Sequence, residues 1–408
     1  MSNRVKFRVI VIVIALLAAL TVFFYTNGPQ EEYQTVQDTL PLHYNGEQFA
    51  GSRSCIPCHE SLYESHIETA HYNTSARANN DKILGSFSEK GNRVNLAGGH
   101  VSLIKESGLF YQITRDYKGK LVDKSKIDIV IGSGVKGQSH LTFKVDSLFQ
   151  LQASYFTLTE DWINSPGFPN YSFKRAVSDN CIKCHVTFAK NETFSSNSNV
   201  YDRNSFMYGV DCERCHGPSQ KHVKFRKGLT QNDTIDPIIS IALLDRQLKM
   251  DVCAQCHAGL RGKIVKGNHF SYVTGEKLED YTKNYFSKRP KSELDVHGNQ
   301  YGLLTSSACY KKSASMSCNT CHDPHKNQRG NASYFNATCI ECHNSPTEIH
   351  ASISDETSGF QNCIKCHMPN FPSNTMKVQL KNTRSEKSVD IRTHLIGIYI
   401  DGLLQKRE

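Results

Sequence analysis

The chain has a single tryptophan, Trp162, in 408 residues. It contains no arginine-rich tract and no basic face interleaved with aromatics, which argues against a nucleic-acid partner. Its glycine-rich stretch GSGVKG (132–137) lacks the Gly-Lys-Ser/Thr ending and the helical continuation of a phosphate loop, so it reads as a turn. Apolar residues make up only 38% of the sequence, too few to build two or three domains on side-chain cores alone. There is almost no spare thiol. Fourteen of the 15 cysteines fall into one repeated pattern, so Cys309 is left without a disulfide partner.

The pattern is Cys-x-x-Cys-His, and it occurs seven times. The copies are Cys55, Cys58, His59; Cys181, Cys184, His185; Cys212, Cys215, His216; and Cys253, Cys256, His257. The last three crowd into fifty residues: Cys318, Cys321, His322; Cys339, Cys342, His343; and Cys363, Cys366, His367. Two thiols three positions apart can form thioethers to the two vinyl groups of one haem, and the adjacent imidazole can then bind the iron. Zinc ribbons need two thiol pairs per metal and place no demand on the following residue. With 18 histidines in the chain, seven chance coincidences have a probability on the order of one in a billion. The sequence therefore calls for seven covalently bound haem c groups. Cys309, in SSACYKKSASMSC, reads as a small buried hydrophobe.

Residues 9–25 are an uncharged apolar run preceded by Arg4, Lys6 and Arg8. No small-x-small cleavage site or lipobox cysteine follows, so the run is expected to be an uncleaved membrane helix over 1–28 rather than a removed signal. The positive flank places the rest of the chain outside the cytoplasm, on the periplasmic face of the inner membrane, or free in the periplasm if the segment is cleaved. The formal charge of +9 overstates the basicity, because propionates on seven haems bring it to about +2 oxidised or about −5 reduced.

The expected organisation follows the cysteines. Residues 29–50 form a polar linker, 51–84 a first haem segment, 171–395 a six-haem body and 396–408 a tail. Residues 85–170 hold no cysteine, and the alternating runs HVSLIKE, LFYQITRDY, KIDIVIG and HLTFKVDSLFQLQ read as a β-rich antiparallel insertion. Later motifs follow every 21 to 65 residues, too close for separate domains. The fold class expected is mainly α with extensive loops, packed around porphyrins that supply the missing core. The spacing also crowds the haems together.

An iron held by one histidine still has an axial position to fill. Of the 11 histidines outside the motifs, His222, His325 and His350 follow a motif at short range and are candidates for a neighbouring haem. His66 and His71 lie five apart on an expected helix and so face different ways. His43, His66, His100 and His269 have no supporting context and read as surface or core residues.

GSRSCIPCHESLYESHIETAH, VDCERCHGPSQKH, DVHGNQ, MSCNTCHDPH and the CIKCHMP ending followed by THL resemble multihaem cytochromes of the c-552/c-554 type, within the wider group of octahaem nitrite and hydroxylamine-oxidising cytochromes. The resemblance covers roughly residues 50–395. It implies His71, His222, His297, His325, His350 and His394 as distal iron ligands. The family commonly has Trp where this chain has His66, and no motif here ends in Lys, the variant at the catalytic haem of some nitrite reductases. What the resemblance implies is an electron carrier served by redox partner proteins or a quinol-side donor. The alternative is an oxidoreductase acting on a small nitrogen or sulfur compound at one open haem. Six matched histidines leave one iron over. His140, presented by the turn GSGVKGQ, is the first choice for it; His100, His269, His66, Met207, Met376 or an open position are the others.

Overall fold

Alternation of apolar and polar residues decides the architecture between the first two motifs. In the computed structural model, which describes residues 40–404 apart from 194, 196, 231–233, 261, 285–293, 344–361, 381–385 and 401–402, the strands of that stretch pair only in antiparallel fashion. Strand β1 (Ser75–Arg77) is followed by a four-stranded meander of β2 (Arg93–Leu96), β3 (Gly99–Glu106), β4 (Leu109–Asp116) and β5 (Leu121–Lys126). The β3–β4 hairpin closes on Ser107 and Gly108, both at positive φ (50° and 78°), the primed turn that matches strand twist. The chain continues through β6 (Ile129–Ile131), β7 (Gly137–Lys144), β8 (Ser147–Gln150), β9 (Ala153–Phe156), β10 (Asp161–Asn164) and β11 (Arg175–Ala176). With β1 these form a seven-stranded sheet ordered β1-β6-β7-β8-β11, with β9 added to β7 and β10 to β9.

An apolar cluster of ten buried residues lies wholly in this region. Val101 and Leu103 from β3, Phe110, Ile127, Val130, Leu151, Ala153 and Trp162 are all buried together. Trp162 donates its indole N–H to Ser86 O (2.8 Å), satisfying its one polar atom.

The remainder is built from short pieces. Helices α1 (Ile56–Ile67), α2 (Asp179–Ile182), α3 (Cys212–His216), α4 (Gln220–Arg226) and α5 (Arg246–His257) lie before residue 260. After it come α6 (Gln300–Ser306), α7 (Ala308–Lys312), α8 (Cys318–Cys321), α9 (Ala332–Cys342) and α10 (Cys363–His367). None of these exceeds 12 residues. Four two-stranded ribbons accompany them: β12 (Val186–Phe188) with β13 (Met207–Tyr208), β14 (Gly262–Ile264) with β15 (Thr282–Asn284), β16 (Asn370–Gln379) with β17 (Glu386–Arg392), and β18 (Tyr399–Ile400) with β19 (Leu403–Leu404). The β16–β17 ribbon packs on the β9–β10 hairpin through Phe156, Ile163, Val378 and Val389.

These elements correct the expectation of a mainly α protein, since helix and strand contribute equally, about 27% each. A Cys-x-x-Cys-His copy needs only one helical turn, so seven copies require little helix, and the links between them pair as ribbons. The expected membrane anchoring is also corrected: among the described residues no helix is long and apolar enough to cross a membrane. The stretch 1–28 on which the anchor was placed lies outside the described residues, as does most of the linker 29–50 up to residue 39.

Candidate haem-binding sites

One turn of helix explains the motif. Residues three apart share a helix face about 5–6 Å apart at Cβ, so the two thiols of a copy rise side by side and the histidine follows on the same turn. The sequence places a cap just ahead of that turn. Asp211 accepts from Cys212 N (2.8 Å), Asn362 from Lys365 N (3.2 Å), and Ser317 with Thr320 forms a capping box on α8. Asp245 and Asn331 cap α5 and α9, the helices that end in the fourth and sixth motifs.

The motif histidines meet histidines from distant parts of the chain. His59 stacks on His222 with ring centroids 6.5 Å apart and 25° between planes. His216 stacks on His325 at 6.2 Å and 18°, and His322 on His394 at 6.2 Å and 28°. His257 faces His71 at 6.2 Å and 73°. His297 lies close enough to His185 to lower its basicity after burial has done most of the work, holding His185 at about 4. Burial likewise holds His71 and His394 at about 4, so these rings are neutral at ordinary pH, the form that binds iron.

Two imidazole nitrogens on opposite sides of one metal, each about 2.0–2.1 Å from it, put ring centroids about 6.3 Å apart once the half-width of each ring is added. The donor pairs fit an iron between them. The far nitrogens support the same fit, because a ligating histidine is normally oriented through its other ring nitrogen. His222 Nδ1 contacts Asp236 Oδ1 (2.6 Å), His185 Nδ1 Thr74 Oγ1 (2.8 Å), and His367 Nδ1 the Gly397 carbonyl (2.8 Å). His257 Nδ1 meets Gln300 Oε1 (3.2 Å), and His325 Nδ1 lies 3.3 Å from Asp323.

Not every expected ligand is placed with a motif. His350 lies outside the described residues. His140 is fully buried in β7, its ring 5.2 Å from Trp162 and its Nδ1 3.4 Å from the Ala153 carbonyl, inside the apolar cluster and away from the motif histidines it pairs with in no described contact. His66, read as a bystander, is buried against His325 (6.2 Å, 66°) with Nε2 3.2 Å from the Val210 carbonyl. His100 sits on β3 and is only partly covered, while His43 and His269 are buried. Burial raises the Cys309 thiol above its ordinary value, which suits an inert residue.

Sequence reasoning also missed how the attachment cysteines adjoin. Cys55 reaches Cys212, Cys184 reaches Cys256, Cys253 reaches Cys318 and Cys339 reaches Cys363, each pair close enough for a thiol hydrogen bond. Cys215 lies near Cys256, and Cys321 near Cys339. No local pattern announces these neighbours, which come from separate elements.

Thiol pairs on helical turns, each followed by an imidazole, are the arrangement by which multihaem c-type cytochromes attach haem c, and the chain is similar to such proteins. Comparison with known proteins agrees. The family described as cytochrome c554 and c-prime matches residues 169–217, which contain the second and third motifs. Over 190 residues the chain is 27% identical to the multiheme cytochrome MtrA of Shewanella baltica (strain OS185), covering 43% of this chain. The chain spans about half (54%) of that relative's length. The fold is similar to the crystal structure of outer cell wall cytochrome OcwA, with a TM-score of 0.52 and 18% identity over 85% of this chain and 79% of that one.

Proposed function

We propose that the protein carries electrons along a chain of seven haem c groups held mostly between histidine pairs. The observation that supports this best is the recurrent 6.2–6.5 Å separation of four motif histidines from four partners, the spacing an iron between two imidazoles requires. Haem c, when bound, supplies one-electron chemistry. The chain's own residues do the rest. Cys55, Cys58 and the six other pairs anchor the macrocycles, and His59, His185, His216, His257, His322, His343 and His367 are the proximal ligands. His222, His297, His325, His71 and His394 would supply a second ligand to the irons of the first five motifs in that order, and His350 would remain for one of the last two. Nδ1 partners hold His185, His222, His257, His325 and His367 with Nε2 free, so these rings need not rearrange when charge arrives.

The cysteine contacts suggest the route. Neighbouring sulfurs order the motifs first, third, fourth, fifth, sixth, seventh, with the second branching from the fourth. Partners for such a carrier are redox proteins at its ends.

The test is spin state and carbon monoxide binding in the matured protein, after mass spectrometry of the denatured chain has counted seven haems. All-low-spin iron in EPR with no carbon monoxide adduct on reduction is expected. A high-spin, carbon-monoxide-binding haem would overturn the simple carrier and favour an oxidoreductase acting on a small inorganic compound at that iron.

A further inference from the structure

Two cations are buried where the second, third and fourth motifs meet. Lys183, inside the second motif, is 6% exposed, and Arg214, inside the third, is 8% exposed. Arg214 Nη2 donates to the Lys183 carbonyl (3.1 Å), the same oxygen to which Cys256 Sγ of the fourth motif points (3.5 Å). The guanidinium lies 5.2 Å over the Phe270 ring, and its Nε is buried without a hydrogen-bond partner. Among the described residues no carboxylate lies within 4.0 Å of either cation. The neighbouring acid Glu213 is committed elsewhere, accepting from Ala50 N, Gly51 N and Ser219. Two nearby histidines, His43 and His269, add no negative charge.

A buried, unpaired charge is expensive and is seldom kept without a use. A guanidinium cannot shed its proton to escape the cost. Arg214 stands beside sulfurs of three motifs, Cys184, Cys215 and Cys256, which are the atoms that carry porphyrin edges in the loaded protein. A positive charge held there favours an added electron on each adjoining group.

We propose that Arg214, with Lys183 beside it, is a positioning residue that raises the reduction potentials of the haems at the second, third and fourth motifs together, so that electrons collect at the branch point of the chain. This rests on the carrier reading above and adds the place at which charge resides. The cations act through the interior, where salt does not screen them, unlike the exposed lysines elsewhere.

The experiment is a spectroelectrochemical titration of the complete matured protein, wild type against Arg214→Gln and Arg214→Lys. An interior unit charge is worth about tenfold in the reduction equilibrium of a nearby group, which for one electron is about 59 mV. Arg214→Gln should move the highest-potential components of the titration down by that amount, and Arg214→Lys should restore most of it. Superimposable curves for wild type and Arg214→Gln overturn the proposal, and so does an Arg214→Lys curve displaced as far as Arg214→Gln, which would indicate lost packing. Should Arg214→Gln fail to mature, the wild type still decides. Its highest potentials should be unmoved between about 10 mM and 0.5 M salt while the others drift, and an equal drift of all components refutes it. In each case the carrier reading is judged separately, by low-spin EPR and the absence of a carbon monoxide adduct.

Discussion

Replacing His222 with alanine removes one of the paired imidazoles at a site where every contact is defined. His222 sits on α4 and faces His59 from α1 at 6.5 Å, and its Nδ1 is held by Asp236, which Arg226 grips in turn at 2.6 Å. The thioethers at Cys55 and Cys58 are untouched, so the haem should stay attached and only the far side of its iron should open. About one iron per molecule should then turn high spin, and the reduced variant should take up about one equivalent of carbon monoxide. Added imidazole should reverse both changes, because the vacated space has the shape of the ring removed. Asp236→Asn keeps the imidazole but weakens the support of its Nδ1, and supports of this kind are worth roughly 10–100-fold in ligand affinity. That variant should therefore open at carbon monoxide pressures the wild type resists. The assay is quantitative EPR with optical carbon monoxide titration. Undisturbed low-spin iron and no carbon monoxide adduct in His222→Ala would refute the pairing of His222 with His59.

Two further outcomes are expected. Burial holds His140 at about 4, below its unfolded value near 6.5, so its contribution to stability is present above pH 6.5 and is lost as pH falls from there through 4. Between pH 7.5 and 4.5 the wild type should lose about 2–3 kcal/mol that His140→Leu does not lose. Urea unfolding followed by the fluorescence of Trp162, 5.2 Å away, measures it, and parallel pH profiles would refute it. Gly209 has φ +71°, and a Cβ there would lie 2.2 Å from the Tyr72 carbonyl. Gly209→Ala should cost about 3 kcal/mol or more. Because Val210 N donates to His71 O (2.9 Å), it should also perturb the ligand field at the fourth motif, read as a shifted low-spin EPR signal; an unaltered melting temperature and spectrum would count against it.

What the chain announced locally, the structure repeats. The seven thiol pairs were legible because a covalent link to a rigid macrocycle fixes spacing within one turn. The alternation in HVSLIKE and LFYQITRDY was legible because a sheet with one buried face writes its period into the sequence; Val101, Leu103 and Phe110 are indeed inside. The β16–β17 ribbon was not legible. Pro372 stands within its first strand, and the pairing shifts register between Pro372 and Lys377. Which histidine meets which motif was not legible, even through a family likeness that marked out candidates, since His71 and His257 are brought together from nearly 190 positions apart by elements that carry no mark of one another. His140 misled because a turn that can present a side chain outward can equally fold it in, and Trp162 supplied an apolar wall on the inner side. Lys183 and Arg214 each occupy the second variable position of their motif, where any residue is admissible, so nothing in the sequence singled them out.

The concentration of the apolar cluster between Ile83 and Trp162 bears on the order of assembly. A sheet with its own core needs no prosthetic group to form. Helices of four or five residues such as α3, α8 and α10 do, because an isolated turn pays its nucleation cost without return. The strands after the first motif are therefore expected to form without haem, ahead of those short turns. The β16–β17 ribbon, which follows the last motif, then seals against Phe156 and Ile163 of the early sheet. That seam joins residues beyond the last motif to the sheet between the first two, so it is expected to close after the turns between them have formed.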